Sequence, residues 1–321
     1  MIAIAVLTGI ALAAAPLAAG AQQKFPSKPI RLVVATTAGS QPDGLARMLG
    51  QKMTDNWGQA VVIDNRSGAG GVLAATMVAK ATPDGHTLLY AIPNFAISVA
   101  LQPSVPYDPF KDFTGISHIG MTTNVLVASP ALGAKSVKDL IALAKAQPGK
   151  LIFASSATGS ASHLTGARFN HLAGIKVVHV AFKAGPDAMI EVLAGRSHYH
   201  LGTMGVTLAF VKEGKLVALG VTTPQRSPVL PDVPSLGEIF AEFKRPETSH
   251  GLLAPAATPR PIVNQLSKEI ARILELPDVK ERVQGISFVT SASTPEEYDK
   301  IRRAQIESLA SIVRDAGLKP K

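Results

Sequence analysis

Short runs of branched and apolar residues alternate along this chain with stretches in which apolar positions recur every three or four residues. Ile30-Arg31-Leu32-Val33-Val34 is too short for a helix and rich in branched side chains, so it reads as a buried strand. Residues 35–43 are small and hydroxyl-bearing, as a turn requires, and Leu45, Met48, Leu49 and Met53 then recur at helical spacing. A strand feeding a helix through such a loop gathers free backbone N–H groups and the positive end of the helix dipole at one spot, which suits an anion. A strand over 60–63 leads through Asp64-Asn65-Arg66-Ser67-Gly68-Ala69-Gly70-Gly71 into a helix over 72–81. Pro83-Asp84-Gly85 marks a turn before a strand over 86–92. Asn94 follows that strand's carboxyl end, where open parallel sheets hold their ligands. Residues 103–113, with three prolines, form a loop, and 116–128 read as an extended crossing between two lobes.

The opening theme then repeats. After a helix over 137–146 comes a strand over 150–154, the turn Ser155-Ser156-Ala157-Thr158-Gly159-Ser160-Ala161-Ser162, and a helix over 163–172. A strand over 177–182 runs through Lys183-Ala184-Gly185-Pro186 into a helix over 187–193. A strand over 216–221, a turn-rich return over 222–234 and helices over 261–274 and 295–316 complete the pattern. Alternating strands and helices predict an α/β fold with parallel sheets. Residues 22–127 and 225–321 are assigned to one lobe and 128–224 to the other, with hinge crossings near Ala128 and over 221–224. Each lobe then presents a strand–small loop–helix unit, and helix N-termini face a cleft from both sides.

Composition narrows the chemistry. The 321 residues include no cysteine, which removes disulfides, thiolate metal sites and a cysteine nucleophile. A net charge of +9 favours anionic partners at long range. The basic residues are scattered, however, and aromatics make up only 5% of the chain, so no nucleic-acid surface is expected. Residues 2–19 are apolar and uncharged, and Ala19-Gly20-Ala21 fits a small-x-small cleavage site before Gln22. That predicts a leader over residues 1–21, cleaved near Ala21, and a mature protein outside the cytoplasm; the rival reading is a membrane anchor. Met1-Ile2-Ala3-Ile4 lacks the basic residue with which a leader ordinarily opens.

A series of short motifs occurs in order: Lys28-Pro29-Ile30-Arg31-Leu32-Val33-Val34, Asp64-Asn65-Arg66, Gly68-Ala69-Gly70-Gly71, Pro83-Asp84-Gly85, and Pro106-Tyr107-Asp108-Pro109. Pro148-Gly149-Lys150-Leu151, Gly159-Ser160 with His163-Leu164, Gly214-Lys215-Leu216, Leu230-Pro231-Asp232-Val233-Pro234 and Ala254-Pro255-Ala256 continue it. With these the chain resembles the Bug family, periplasmic receptors of tripartite tricarboxylate transporters, over essentially its whole mature length. The resemblance implies a two-lobed periplasmic binding protein (type II-like) that works as a monomer and closes on a small carboxylate. It further implies delivery to membrane components of the transporter, without cofactor or metal. Carried over by position, ligand contacts fall at Thr36, Thr37, Ala38, Gly39 and Ser40 and at Ser156, Thr158, Gly159 and Ser160. The family's first loop is usually Pro-Phe-Pro-Pro-Gly-Gly; here it is Ala35-Thr36-Thr37-Ala38-Gly39-Ser40, with Thr36 where the aromatic would stand. Where the family commonly carries Asp-Asn, this chain has Gly202-Thr203, so Thr203 joins the candidate contacts.

Other residues carry competing readings. Asp43 caps the first helix, or accepts an amine from an amino-acid ligand. Lys183 pairs with a ligand carboxylate or lies at the lobe rim, beside Gly185 in the same loop. Gly68-Ala69-Gly70-Gly71 resembles half of a dinucleotide fingerprint, but Leu73 occupies the third glycine position; Thr158-Gly159-Ser160 lacks the lysine of a P-loop. Ser160 and Ser162 lie near His163, which raises a hydrolase as the alternative, yet no Gly-x-Ser-x-Gly elbow is present. His198 and His200 share one side of a strand without a third ligand at suitable spacing, and read as ordinary strand histidines.

Overall fold

In the computed structural model, residues 25–102, 104–244 and 249–315 are described, so the expected leader lies outside them. The first sheet has six strands in the order β11 (Phe288–Thr290), β4 (Phe113–Thr122), β10 (Ser249–Pro255), β3 (Thr87–Ala91), β1 (Ile30–Val34) and β2 (Val61–Asn65). β1 lies between β2 and β3, parallel to both, and is buried at four of its five positions, which is why its sequence is a nearly continuous apolar run. β10 enters antiparallel between β3 and β4. The second sheet has the order β7 (Val178–Ala181), β6 (Ile152–Ser155), β8 (Tyr199–Thr203), β5 (Asn124–Ala128) and β9 (Val217–Val221).

Helices cover both faces of each sheet. On the first, α1 (Gln41–Trp57), α8 (Arg260–Leu274) and α9 (Pro277–Gly285) fill one face with Leu45, Leu49, Leu266, Ile270 and Val279. α2 (Val72–Ala79), α3 (Asn94–Leu101) and α10 (Pro295–Asp315) fill the other with Val78, Phe95 and Leu309. On the second sheet, α4 (Val137–Ala146) and α5 (Ala161–Ala173) cover one face, and α6 (Gly185–Leu193) and α7 (Met204–Lys212) the other. The result is a two-lobed α/β fold. The lobes also meet along α5 and α10, where Leu164 joins the cluster holding Leu309, Ile312 and Val313. No helix among the described residues is long and apolar enough to cross a membrane.

The chain changes sheets at points other than those expected near Ala128 and over 221–224. β5 pairs with β8 and β9, so residues 124–128 belong to the second sheet, and only Thr123 separates them from β4. On the return, Leu236 and Phe243 are buried in the second lobe's core, which keeps the chain there well past residue 225, as far as Phe243; Ser249 opens β10 in the first sheet. The physical reason is the same in both places: backbone pairing and core burial hold these segments, and neither is visible in a local turn pattern.

Candidate ligand-binding site

The two small-residue loops are built alike. Gly39 and Gly159 both turn through the left-handed region, at φ 81° and 80°. Ser40 and Ser160 follow as N-caps of α1 and α5, each hydroxyl accepting from the backbone N–H three residues on. Each hydroxyl also donates to a carbonyl three residues back, at 2.8 Å in both loops: Ser40 to Thr37 and Ser160 to Ala157. The third helical residue then accepts from the glycine N–H: Asp43 Oδ2 from Gly39 at 2.8 Å, and His163 Nδ1 from Gly159 at 2.9 Å. Burial works to raise the Asp43 carboxyl, but hydrogen bonds from Arg47, Gly39 and Asn65 hold it below the ordinary range. Burial lowers His163 to about 4, helped by His179 stacked 3.9 Å away.

A cavity of about 400 Å³ opens where the second loop meets the ends of β6 and β8. Four helices begin at its wall: α3 at Asn94, α5 at Ala161, α6 at Gly185 and α7 just after Thr203. Each brings the positive end of its dipole, about half an elementary charge, although the Phe95, His163 and Met204 N–H groups are taken by Ile92 O, Ser160 Oγ and Thr123 O. No Lys, Arg, Asp or Glu is among the lining residues. Ser156, Ser160 and Ser162 form a hydroxyl chain on one side, with Oγ–Oγ distances of 2.9 and 3.1 Å to Ser162. Asn124, 5% exposed, lines the cavity with a side-chain amide that has no partner among the described residues. Met189 and Val206 supply apolar wall. A site with many neutral donors and converging dipoles can hold a carboxylate without a counter-ion.

The sequence profile described as tripartite tricarboxylate transporter family receptor matches residues 45–318. The chain belongs to this family. Protein BugT of Bordetella pertussis (strain Tohama I) is 32% identical to this receptor over 98% of its chain and 97% of BugT. Among solved structures, Rpa4515 of R. palustris with adipate is 29% identical, covers 92% of this chain and 100% of its own, and superposes with a TM-score of 0.76. MatC from Rhodopseudomonas palustris with bound malate is also 29% identical, covers 90% of this chain and 100% of its own, and gives a TM-score of 0.72.

The receptor's cavity brings together Asn94, Ser156, Ser160, Gly185 and Thr203 from the residues singled out by sequence. Thr36, Thr37, Ala38, Gly39 and Ser40 lie outside its lining, as do Thr158, Gly159 and Lys183. Thr37, Ala38, Gly39, Thr158 and Lys183 are exposed, while Leu101 of α3 packs beneath Gly159, 2.9 Å from where a Cβ would stand. Asp43 is buried, and its two oxygens are taken by Gly39, Arg47 and Asn65. Histidine geometry bears on the hydrolase alternative: His163 Nδ1 accepts a backbone N–H rather than a serine hydroxyl, and the hydroxyl–imidazole contact of Ser155 with His179, at 2.7 Å, is made by a fully buried serine. His198 Nδ1 likewise accepts from the Ile152 N–H at 2.8 Å. Sequence reasoning missed Asn124 and His200 as cavity residues. An asparagine opening the otherwise apolar run Asn124-Val125-Leu126-Val127-Ala128 was the available signal.

Proposed function

We propose that this chain is a non-enzymatic periplasmic receptor that captures a small organic anion, a carboxylate, and presents it to the membrane components of a tripartite transporter. One observation carries the reading: four helix N-termini converge on a single cavity that no charged side chain lines. A carboxylate meets those N–H groups and that field; a cation is repelled by it, and a neutral sugar leaves it unused. Adipate in Rpa4515 and malate in MatC support the same class of ligand. Asn94, Ser156, Ser160, Gly185 and Thr203 contact the ligand in this reading, and closure of the lobes brings Thr36, Thr37, Ala38, Gly39 and Ser40 towards it. The apolar run before Ala19-Gly20-Ala21 supports export with cleavage near Ala21, and the receptor works as a monomer without cofactor.

The test is thermal unfolding against mono-, di- and tricarboxylates, amides, sugars and nucleotides, with mass spectrometry of each incubated compound. A carboxylate at a hundred times its Kd adds about 2.7 kcal/mol of stability and raises Tm by several degrees. The ligand is recovered unchanged. Stabilisation by sugars or nucleotides alone, or conversion of the acid, overturns the reading.

A further inference from the structure

His200 pairs with Ala154 across β8 and β6 and is 2% exposed, yet it lines the cavity. Its Nδ1 stands 2.8 Å from the Ala154 carbonyl oxygen. A carbonyl only accepts, so Nδ1 carries the ring proton. Burial opposes uptake of a second proton, which leaves Nε2 as a bare acceptor. Nε2 has no partner among the described residues. The next residue on the same side of β8 is Gly202, where a Cβ would stand 2.5 Å from Thr207 Cγ2, 2.9 Å from Met189 Cε and 3.2 Å from His200 Cδ2, so glycine lets these three side chains close on the strand. His200 lies about 7 Å back along the strand from Gly202, deeper than Thr203 at the strand's end.

We propose that His200 reads a hydrogen-bond donor on the ligand, so that the acid captured here carries a hydroxyl or amide N–H reaching Nε2 as well as a carboxylate. The inference rests on the receptor reading above and names the ligand class within it. A carboxylate oxygen cannot bond a lone pair, so the carboxylate turns to the helix ends and its donor-bearing portion turns to the floor. The cavity lining combines serine hydroxyls, which donate or accept, with the His200 Nε2, which only accepts, and the Asn124 amide, which can serve either way. A site built around a buried acceptor discriminates strongly against an analogue that lacks the matching donor.

Calorimetry on the mature protein tests this with pairs that differ by one donor: malate with succinate, lactate with propionate, and the tightest acid of the wider panel with its counterpart. The donor-bearing member binds at least tenfold more tightly. His200→Asn retains a donor for the Ala154 oxygen through Nδ2 and deletes the Nε2 acceptor; in it the preference falls below threefold. In the unmodified protein, the His200 Nε2 nitrogen resonance moves on adding the donor-bearing acid and stays in place with its partner, a readout independent of whether the variant folds. Equal affinities within the pairs, or a preference that survives in His200→Asn, overturns the role of His200 while leaving the carboxylate receptor intact. If no carboxylate binds at all, the receptor reading itself falls.

Discussion

At residue 43 the first lobe uses a carboxylate where, at residue 163, the second uses a neutral imidazole, and the two respond to acid differently. Asp43 is an acceptor at any pH above its lowered pKa, so its contribution is present above the unfolded value near 4 and disappears as the pH falls through the folded one. Removing it in Asp43→Ala deletes the hydrogen bonds to the Gly39 N–H and the Asn65 amide and should cost about 1–3 kcal/mol, read as a lower urea midpoint at unchanged slope. His163 accepts from Gly159 only while unprotonated. Burial lowers His163 to about 4, His118 to about 4 and, with His118 nearby, His250 to about 3. Between the unfolded value near 6.5 and these folded values, the unfolded chain binds protons that the native one does not. Stability is therefore complete above about pH 6.5 and falls as the pH drops towards 4, by roughly 1 kcal/mol per pH unit for each fully shifted histidine. Urea unfolding at pH 7.5, 6.0 and 5.0 should show this decline. A flat profile would mean these rings are already protonated or exposed.

Helix starts, rather than charged side chains, set the field in the cavity, and this gives a prediction in which stability and binding move in opposite directions. Asn94 opens α3 at the cavity wall. Asn94→Asp places a negative charge at a helix N-terminus, where it should add about 0.3–1 kcal/mol of stability. The same charge occupies the field offered to the ligand, so affinity for a carboxylate should fall at least tenfold while Tm without ligand rises or holds. Reduced affinity with an equally reduced Tm would point to misfolding and sink the argument. Two of the four converging helices could not be read from sequence. α3 is the run Asn94-Phe95-Ala96-Ile97-Ser98-Val99-Ala100-Leu101, apolar nearly all round, so it offers no helical period to detect. α7 begins directly after β8 with Thr203 as its cap, leaving no turn signal between strand and helix. By contrast, α4 was legible to its end residues because Ser136 caps it and Val137, Leu140 and Ala144 recur at helical spacing on its buried face. The loops at Ser40 and Ser160 were legible for the same reason; that only one of them lines the cavity depends on tertiary placement.

At the scale of the whole molecule, two lobes are joined by a single residue at Thr123 and by the stretch between Phe243 and Ser249, and they touch along α5 and α10. Few connections and buried cores that meet, among the described residues, only where Leu164 packs against α10 are the conditions for rigid-body rotation of one lobe against the other. The two loops share one construction, yet the first lies outside the cavity. Closure that carries Thr36 to the ligand would give both loops the same task from opposite sides and would exclude water from the polar contacts. Small-angle scattering should then show contraction on saturation with the acid found in the unfolding screen. Thr36 supplies a hydroxyl that pairs with Ser40 at 3.1 Å, and a ligand oxygen or N–H bonded there is worth about 0.5–1.5 kcal/mol. Thr36→Phe replaces that group with an apolar ring. In the closed form it should weaken hydroxyl- or amide-bearing acids by roughly three- to tenfold, as the loss of one such bond requires, and favour aromatic acids. The order of affinities across the panel should therefore change. An unchanged order together with an unchanged radius at saturation would place the first loop outside the site in every state.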